Sequence, residues 1–184
     1  MQGDISYGKY YSTGSSGGLR GGKRDTYEGG LRVPFIVRWP AQVPAGRTDT
    51  QSIVTAVDLL PTFADVAGAL LPKGYQSDGQ SVLTLLKGGS IEREKPLFWE
   101  WRYGKKSGKK PMLAVREGPW KLFVHQDKNT VELYNVMRDR SESMNIAEQH
   151  PERVKRMKAL AIEWRTTLPE KPKAHTLSPK RTNK

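Results

Sequence analysis

The chain has 184 residues, of which 36% are hydrophobic and 27% charged, a composition at the polar end of the globular range. It contains no cysteine, which excludes disulfide frameworks, cysteine zinc sites and thiol nucleophiles. The most apolar stretch, residues 53–71, is interrupted by Asp58, Pro61 and Asp65. Because a membrane helix needs about 18 or more apolar residues in a row, we expect no membrane-spanning segment. The first residues also lack the basic and apolar regions of a secretory leader.

The formal net charge is +12, from 31 Lys or Arg against 19 Asp or Glu. Much of it is concentrated in two short segments. Residues 102–110 hold five Lys or Arg and no acid, and residues 165–184 hold six against Glu170. The sequence shows no helix-turn-helix, zinc finger or aromatic RNA-reading strand, so we predict no nucleic-acid partner. We interpret the two segments as a solvated loop and a disordered basic tail over residues 169–184.

The first half of the chain reads as one α/β unit, residues 1–90. Seven glycines fall between Gly14 and Gly30, which predicts a long glycine-rich loop over residues 12–30. The apolar run within Val33 to Trp39 does not alternate with polar residues and predicts a strand buried on both faces. Asp58 to Gly68 predicts a short helix, with Pro61 in its first turn and Gly68 as its cap.

The second half, residues 91–168, predicts an antiparallel sheet followed by a helix. Residues 97–101 form the first predicted strand, and residues 112–117 and 120–125 form a hairpin around Gly118 and Pro119. Residues 131–136 continue as a further strand. Pro151 then opens a helix whose apolar side chains recur at spacings of three and four: Val154, Met157, Ala161, Trp164 and Leu168.

The glycine-rich loop carries the candidate site. Gly17 to Lys23 matches the first part of a phosphate-binding loop, but Arg24 stands where such a loop needs Ser or Thr. No apolar strand precedes the segment and no helix is predicted directly after it, which argues against a nucleotide site. What remains is Lys23 on backbone that glycine allows to approach an anion closely. The residues alone favour this interpretation no more than a flexible loop with solvated cations.

Residues Leu19 to Ala41 read LRGGKRDTYEGGLRVPFIVRWPA, which resembles the sulfatase family of arylsulfatases and their relatives. The likeness continues in order along roughly residues 12–165. Asp58 to Thr62 resembles the family's D-L-L-P-T helix, and Asp78 to Leu86 its D-G-x-S-L-x-x-L-L turn. Trp120 to Leu122 resembles its W-K-L strand, and residues 132–151 its E-L-Y-D-L and N-L-A-x-x-H-P segments. The resemblance implies the end of an alkaline-phosphatase-like α/β domain followed by a small sheet-plus-helix subdomain.

The resemblance also implies roles for individual residues. Lys23 matches the family lysine that contacts the sulfate of the substrate. Gly22, Tyr27, Glu28, Gly29 and Gly30 match positions that we expect to shape the loop. Arg24 and Arg32 are expected to be ion-paired or solvated rather than catalytic. None of the three histidines, His125, His150 and His175, matches a family acid or base.

Other parts of the family machinery have no counterpart in this sequence. Family enzymes attack sulfur with a formylglycine made from Cys or Ser in a C/S-x-P-S/A-R motif, which does not occur here. The position of the family's calcium-binding Asp-Asn pair is occupied by Met1 and Gln2. We therefore expect no catalytic nucleophile and no metal ligand in this chain. Formylglycine and calcium are expected only in a full-length parent, outside the cytoplasm, and its substrate would be an aryl or carbohydrate sulfate.

The prediction is thus the C-terminal portion of a sulfatase, catalytically incomplete alone, whose partner is a missing N-terminal segment. Two alternatives stay open at the level of sequence. One is a non-catalytic module that binds anions or sulfated glycans and that has kept Lys23 and the basic loop but lost the chemistry. The other is a structural remnant of a truncated or split gene that folds only with an N-terminal partner.

Overall fold

The computed structural model of the chain describes residues 5–7, 10–12, 14–101, 111–125, 127 and 129–170. The basic loop 102–110 and the tail residues 171–184 lie outside the described residues, as do residue 13 of the glycine-rich loop and His175. Within the described ranges, no helix has both the length and the apolar character needed to cross a bilayer.

The centre of the fold is a four-stranded antiparallel sheet. Its strands lie side by side in chain order. Two short strands precede them, so the sheet strands are numbered β3 (Leu97–Glu100), β4 (Pro111–Glu117), β5 (Trp120–His125) and β6 (Val131–Asn135). Glu117 pairs directly with Trp120, so Gly118 and Pro119 make a two-residue turn. The predicted meander is confirmed.

One face of this sheet is covered by the last helix, α4 (Pro151–Thr166). Met157 and Ala161 are fully buried against Leu122 and Val124 of β5 and against Leu133 of β6. At the end of the helix the Trp164 ring stacks on Phe98, with 5.1 Å between ring centres. The three-and-four spacing of the helix therefore identified its buried face, and this packing is the main apolar core.

The first half contains shorter elements. They are β1 (Ile5–Tyr7) paired with β2 (Tyr10–Ser12), α1 (Glu28–Leu31), α2 (Leu59–Ala67) and α3 (Leu83–Leu86). The helix predicted after Asp58 is confirmed, and Gly68 ends it in the left-handed conformation at φ 62°. The sequence did not predict the short elements at the two edges of the glycine-rich loop over residues 12–30, where β2 ends at Ser12 and α1 begins at Glu28.

Asp58 joins two of the sequence motifs. Its buried carboxylate accepts the Thr55 N–H at 2.8 Å and the Gln80 N–H at 3.0 Å, and it pairs with Arg93. The next motif approaches so closely that a Cβ on Gly79 would lie 2.1 Å from the Val57 carbonyl oxygen. The Asp58 carboxylate therefore ties the start of α2 to the turn around Gly79, and the Val82 N–H adds a second link by donating to Thr62 Oγ1 at 3.0 Å.

The strand predicted over Val33 to Trp39 is wrong for the described chain. Val33 is 75% exposed and Ile36 is 89% exposed, whereas the prediction required both faces to be buried. A strand needs a neighbouring strand to satisfy its backbone groups, and the described residues offer none to this segment. Pro34 further removes one backbone donor.

Candidate functional site

The second face of the sheet is covered by the glycine-rich segment. Side chains alternate along β5, so Lys121, Phe123 and His125 point away from α4. Tyr27 packs on Phe123 with 4.7 Å between ring centres and is only 7% exposed. The Phe123 ring lies edge-on to Tyr134 of β6. The segment from Leu19 to Arg32 thus forms a third layer, opposite α4.

Two glycines allow this segment to fold on itself. A Cβ on Gly29 would lie 2.5 Å from the Gly21 carbonyl oxygen, and one on Gly30 would lie 2.2 Å from the Asp25 carbonyl oxygen. Both contacts are with backbone, which cannot move aside cheaply. Any side chain at either position would therefore push the two halves of the segment apart.

Lys23 lies on a tight turn formed by residues 22–25, which we call the Lys23 turn. The Gly22 N–H donates to an Asp25 carboxylate oxygen at 3.0 Å, and the Asp25 N–H donates back to the Gly22 carbonyl at 2.9 Å. Arg24 adopts a left-handed backbone with φ 76°. Lys23 and Arg24 are both exposed. The turn therefore presents two cationic side chains at the surface of the third layer.

The C-terminal end of this turn is tied to the sheet by a buried group of charges, which we call the lysine cluster. Its centre is Lys121, whose side chain is fully buried. The Lys121 ammonium lies 2.7 Å from Glu28 Oε1 and 3.1 Å from Glu142 Oε1. Arg116 approaches the other Glu28 oxygen at 3.6 Å. Two carboxylates thus face two cations, which is the balance that buried ions require.

Glu142 does more than balance charge in the lysine cluster. Its Oε2 accepts the Glu28 N–H at 2.8 Å and so caps the first turn of α1. Burial raises the pKa of the Glu142 carboxyl above its usual range, while Lys121 and the Glu28 N–H oppose that rise. Lys121 and the Glu28 N–H therefore stabilise the ionised Glu142 carboxylate, and that carboxylate in turn holds both groups in place.

The N-terminal end of the turn is held by Arg20. It belongs to a second group of polar groups, which we call the arginine cluster: Arg20, Tyr27, His125, Glu132, Tyr134 and the Glu142 carbonyl group. Arg20 Nη1 lies 2.9 Å from Glu132 Oε2, 2.7 Å from the Tyr134 hydroxyl and 3.1 Å from the Glu142 carbonyl oxygen. Its guanidinium also stacks over the Tyr27 ring at 3.9 Å. Both ends of the segment that carries Lys23 are thus bonded to the sheet and to the loop after it.

Glu132 is the acceptor at the centre of the arginine cluster. It accepts the Tyr27 hydroxyl at 2.8 Å and the Tyr134 hydroxyl at 2.6 Å, and His125 Nε2 lies 2.6 Å away. Burial disfavours its charge, but these hydrogen bonds and Arg20 hold the pKa of Glu132 below its usual range. Burial and the same carboxylate raise the pKa of both tyrosines. Glu132 therefore stays ionised beneath the loop.

The predicted site residues occupy two environments. Lys23 is exposed and Gly22 half-buried on the turn, while Tyr27 and Glu28 are buried under it beside Gly29 and Gly30. The loop-shaping roles of these residues, like the sulfate contact of Lys23, stay predictions. Arg32 is exposed at the end of α1.

Sequence reasoning missed six residues of the two clusters: Arg20, Arg116, Lys121, Glu132, Tyr134 and Glu142. A signal existed for two of them, because Lys121 and Glu132 alternate with the apolar residues of β5 and β6. Charged residues that point to the same buried face of a sheet as aromatic side chains need oppositely charged or hydrogen-bonding partners. No local pattern identifies Arg20 or Glu142.

Within the described part of the chain, an open cleft of about 360 Å³ lies between Gly17–Leu19 and Met137–Ser141, and Lys23 does not line it. Among the residues that the structure describes, no three of His, Cys, Asp and Glu are grouped as a metal ion would require. The calcium that the resemblance implies stays a prediction for a full-length parent.

Comparison with known proteins identifies the class of this chain. Residues 21–166 match the family model described as N-sulphoglucosamine sulphohydrolase, C-terminal, and the chain belongs to this family. It is 31% identical over 161 residues to an N-acetylgalactosamine-6-O-sulfatase of Bacteroides thetaiotaomicron, a match that covers 80% of this chain and 30% of the relative. It is 39% identical over 108 residues to human arylsulfatase A, covering 59% of this chain and 20% of that enzyme.

A solved structure supports the same class. The structure of Ps i-CgsB in complex with k-i-k-neocarrahexaose superposes with a TM-score of 0.67 at 29% identity, over 79% of this chain and 31% of that one. The predicted sulfatase resemblance and the α/β fold class are confirmed by these matches. The chain spans about a third or less of the length of these relatives.

Proposed function

We propose that this chain is the C-terminal part of a sulfatase and that Lys23 contacts the sulfate group of the substrate. The reaction is the hydrolysis of a sulfuric ester. The ester S–O bond breaks, and water adds its OH to sulfur and its remaining proton to the leaving oxygen, which gives sulfate and an alcohol or phenol. The observation that carries the proposal is the Lys23 turn, an exposed cationic turn held at both ends by buried charges. An ammonium carried on backbone held in this way can offset charge that develops on sulfuryl oxygens.

The substrate class that we propose is an aryl or carbohydrate sulfate. Two relatives support it by their names, an N-acetylgalactosamine-6-O-sulfatase and an arylsulfatase A. The match to the first covers more of this chain, which favours a sulfated sugar. A compartment outside the cytoplasm, as the resemblance implies, stays a prediction.

We further propose that the chain is catalytically incomplete. The formylglycine of the family would supply the nucleophile that attacks sulfur, yet the sequence has no cysteine and no serine in the required motif. The nucleophile and the calcium ligands would then lie on a segment that precedes these residues in a full-length parent.

An exposed apolar surface supports such a segment as a partner. Helix α2 leaves Leu60 49%, Phe63 62% and Val66 42% exposed, and Val33 and Ile36 are more exposed still. Leu60, Phe63 and Val66 recur at a spacing of three and so share one face of α2, and exposed apolar faces of this kind mark surfaces that another structural unit covers. We propose that the N-terminal α/β segment of the parent is that unit and that it supplies a strand neighbour to Val33 to Trp39.

Two measurements on the 184-residue chain test the proposal. Titration with inorganic sulfate, followed by amide NMR shifts of residues 22–25, should show a response that Lys23→Met removes. The matched control Lys73→Met, at another exposed lysine, should leave it intact. Hydrolysis of aryl and carbohydrate sulfates by the pure chain, with calcium present, should be undetectable. An equal sulfate response in both variants contradicts the role of Lys23, and calcium-dependent turnover contradicts the incompleteness.

The binding-module alternative depends on the basic loop 102–110, which lies outside the described residues. It predicts retention on heparin that survives Lys23→Ala but falls when Lys105, Lys106, Lys109 and Lys110 are neutralised. Our proposal needs no such retention. The two functions are therefore separated by one chromatography experiment with two variants.

A further inference from the structure

Glu142 occupies a backbone conformation that costs energy. Its φ is 50°, in the left-handed region that side chains other than glycine, Asn and Asp rarely adopt, and the residue is only 1% exposed. Such conformations persist where the surrounding structure imposes them, and they are concentrated at functional sites. Glu142 lies far along the chain from Lys23 and takes no part in the function proposed above, so its conformation needs an explanation.

The loop around Glu142 is built to hold this conformation. The Asp139 carboxylate accepts the N–H groups of Ser143 and Met144 at 2.8 and 2.9 Å, and the Glu142 N–H donates to the Asp139 carbonyl oxygen. These hydrogen bonds, together with burial, hold the residue on both sides. The Glu142 side chain and carbonyl group consequently point in fixed directions beneath the glycine-rich segment.

Glu142 is the one described residue that belongs to both clusters. Its carbonyl oxygen accepts from Arg20 at 3.1 Å, while its carboxylate accepts the Glu28 N–H and pairs with Lys121. Arg20 precedes Lys23 by three residues, and Glu28 follows it by five. Glu142 therefore connects both ends of the segment that carries the Lys23 turn.

We infer that Glu142 is a positioning residue for Lys23: through Arg20 on one side and Glu28 on the other, it sets where the Lys23 ammonium stands. This inference rests on the proposed function, because the position matters only if Lys23 binds an anion. Lys121 shares the task, since it neutralises the Glu142 carboxylate and pairs with Glu28 at the same time. A loop whose backbone is fixed in advance presents its lysine to a ligand without the cost of ordering the loop.

The test uses the full chain and two readouts, amide hydrogen exchange and the NMR titration with inorganic sulfate. Glu142→Gln keeps the shape but removes the charge. It should speed exchange of the amides in residues 22–31 about tenfold or more and weaken sulfate binding several-fold, while residues 122–124 keep their protection. Glu117→Gln makes the same charge change at the exposed pair with Arg156 and should alter neither readout.

Arg20→Met gives a second route to the same answer if Glu142→Gln does not fold. The Arg20 side chain is 38% exposed, so its loss leaves Glu142 paired with Lys121 and should still loosen the turn. Equal acceleration in residues 22–31 and 122–124, no acceleration, or unchanged sulfate affinity in a locally loosened variant would each overturn the inference. If the unaltered chain shows no sulfate response that depends on Lys23, the proposed function fails, and exchange alone decides whether Glu142 anchors the segment.

Discussion

The buried ammonium of Lys121 allows the energetics of the third layer to be tested. Lys121→Met keeps an unbranched side chain of similar length but removes the charge that faces Glu28 and Glu142. Those two carboxylates have side chains only 5% and 0% exposed, so they would remain buried without their shared cation. Removing one partner from a buried ion pair costs about 3–5 kcal/mol. For a domain whose stability is about 5–15 kcal/mol, that is a large share of the total.

Equilibrium unfolding in urea, followed by tryptophan fluorescence, measures this loss. The matched control is Arg156→Met, which breaks the pair with Glu117 where the arginine side chain is 54% exposed. Surface pairs of this kind contribute about 0–1 kcal/mol. Lowering the pH from 7 towards 5 should restore part of the stability of Lys121→Met. Burial raises the pKa of the Glu142 carboxyl and Lys121 no longer opposes that rise, so protonation of Glu142 in the folded state removes a buried unpaired charge. A loss no larger than that of Arg156→Met, or no recovery in acid, would refute the reasoning.

Three further predictions use the same unfolding assay. Gly30→Ala should cost about 1–3 kcal/mol, because its Cβ would meet backbone oxygens at 2.2 and 2.5 Å, whereas Gly22→Ala, with open space around its Cβ, should change stability by less than about 0.5 kcal/mol. Met157→Ala, in the fully buried core, should cost about 2–5 kcal/mol, and Met144→Ala, at a side chain 65% exposed, almost nothing. For Glu132, burial opposes ionisation, but hydrogen bonds hold its folded-state pKa below the ordinary value of 4.5. The stability that the ionised Glu132 contributes should therefore be fully present above pH 4.5 and be lost as the pH falls through the lower folded-state pKa. Glu132→Gln should reduce this dependence of the unfolding free energy on pH. Equal losses within either pair, or an unchanged slope, would contradict the packing described here.

The parts of the fold that the sequence predicted correctly are those with a local signal. The two strand segments 112–117 and 120–125 around the turn at Gly118 and Pro119 define the hairpin, and the spacing of three and four after Pro151 defines α4. The strand expected at Val33 to Trp39 failed for the opposite reason. An apolar run indicates a preference for burial, but a strand also needs a neighbour, and no neighbour lies within the described residues.

In the candidate site, too, the residues with a local sequence signal were predicted and those without one were not. The Lys23 turn was predicted because glycines, a lysine and the Y-E-G-G motif lie within a few residues of one another. Its supports could not be predicted, since the contact from Lys121 to Glu28 joins residues 93 apart and that from Arg20 to Glu142 joins residues 122 apart. Only the three-dimensional fold brings these charges together. The sequence could indicate Lys23 as a candidate ligand-binding residue but not the buried charges that hold the segment around it.

The most direct test of the central claim is sulfate release by a chimera. In it, residues 14–168 of this chain would follow the N-terminal part of the Bacteroides thetaiotaomicron N-acetylgalactosamine-6-O-sulfatase, to which the chain is 31% identical. We expect the chimera to hydrolyse N-acetylgalactosamine 6-sulfate. Lys23→Met should lower its kcat/KM by a factor of about 100 or more, and Lys73→Met should leave it unchanged. Undiminished hydrolysis by the Lys23→Met chimera would contradict the claim.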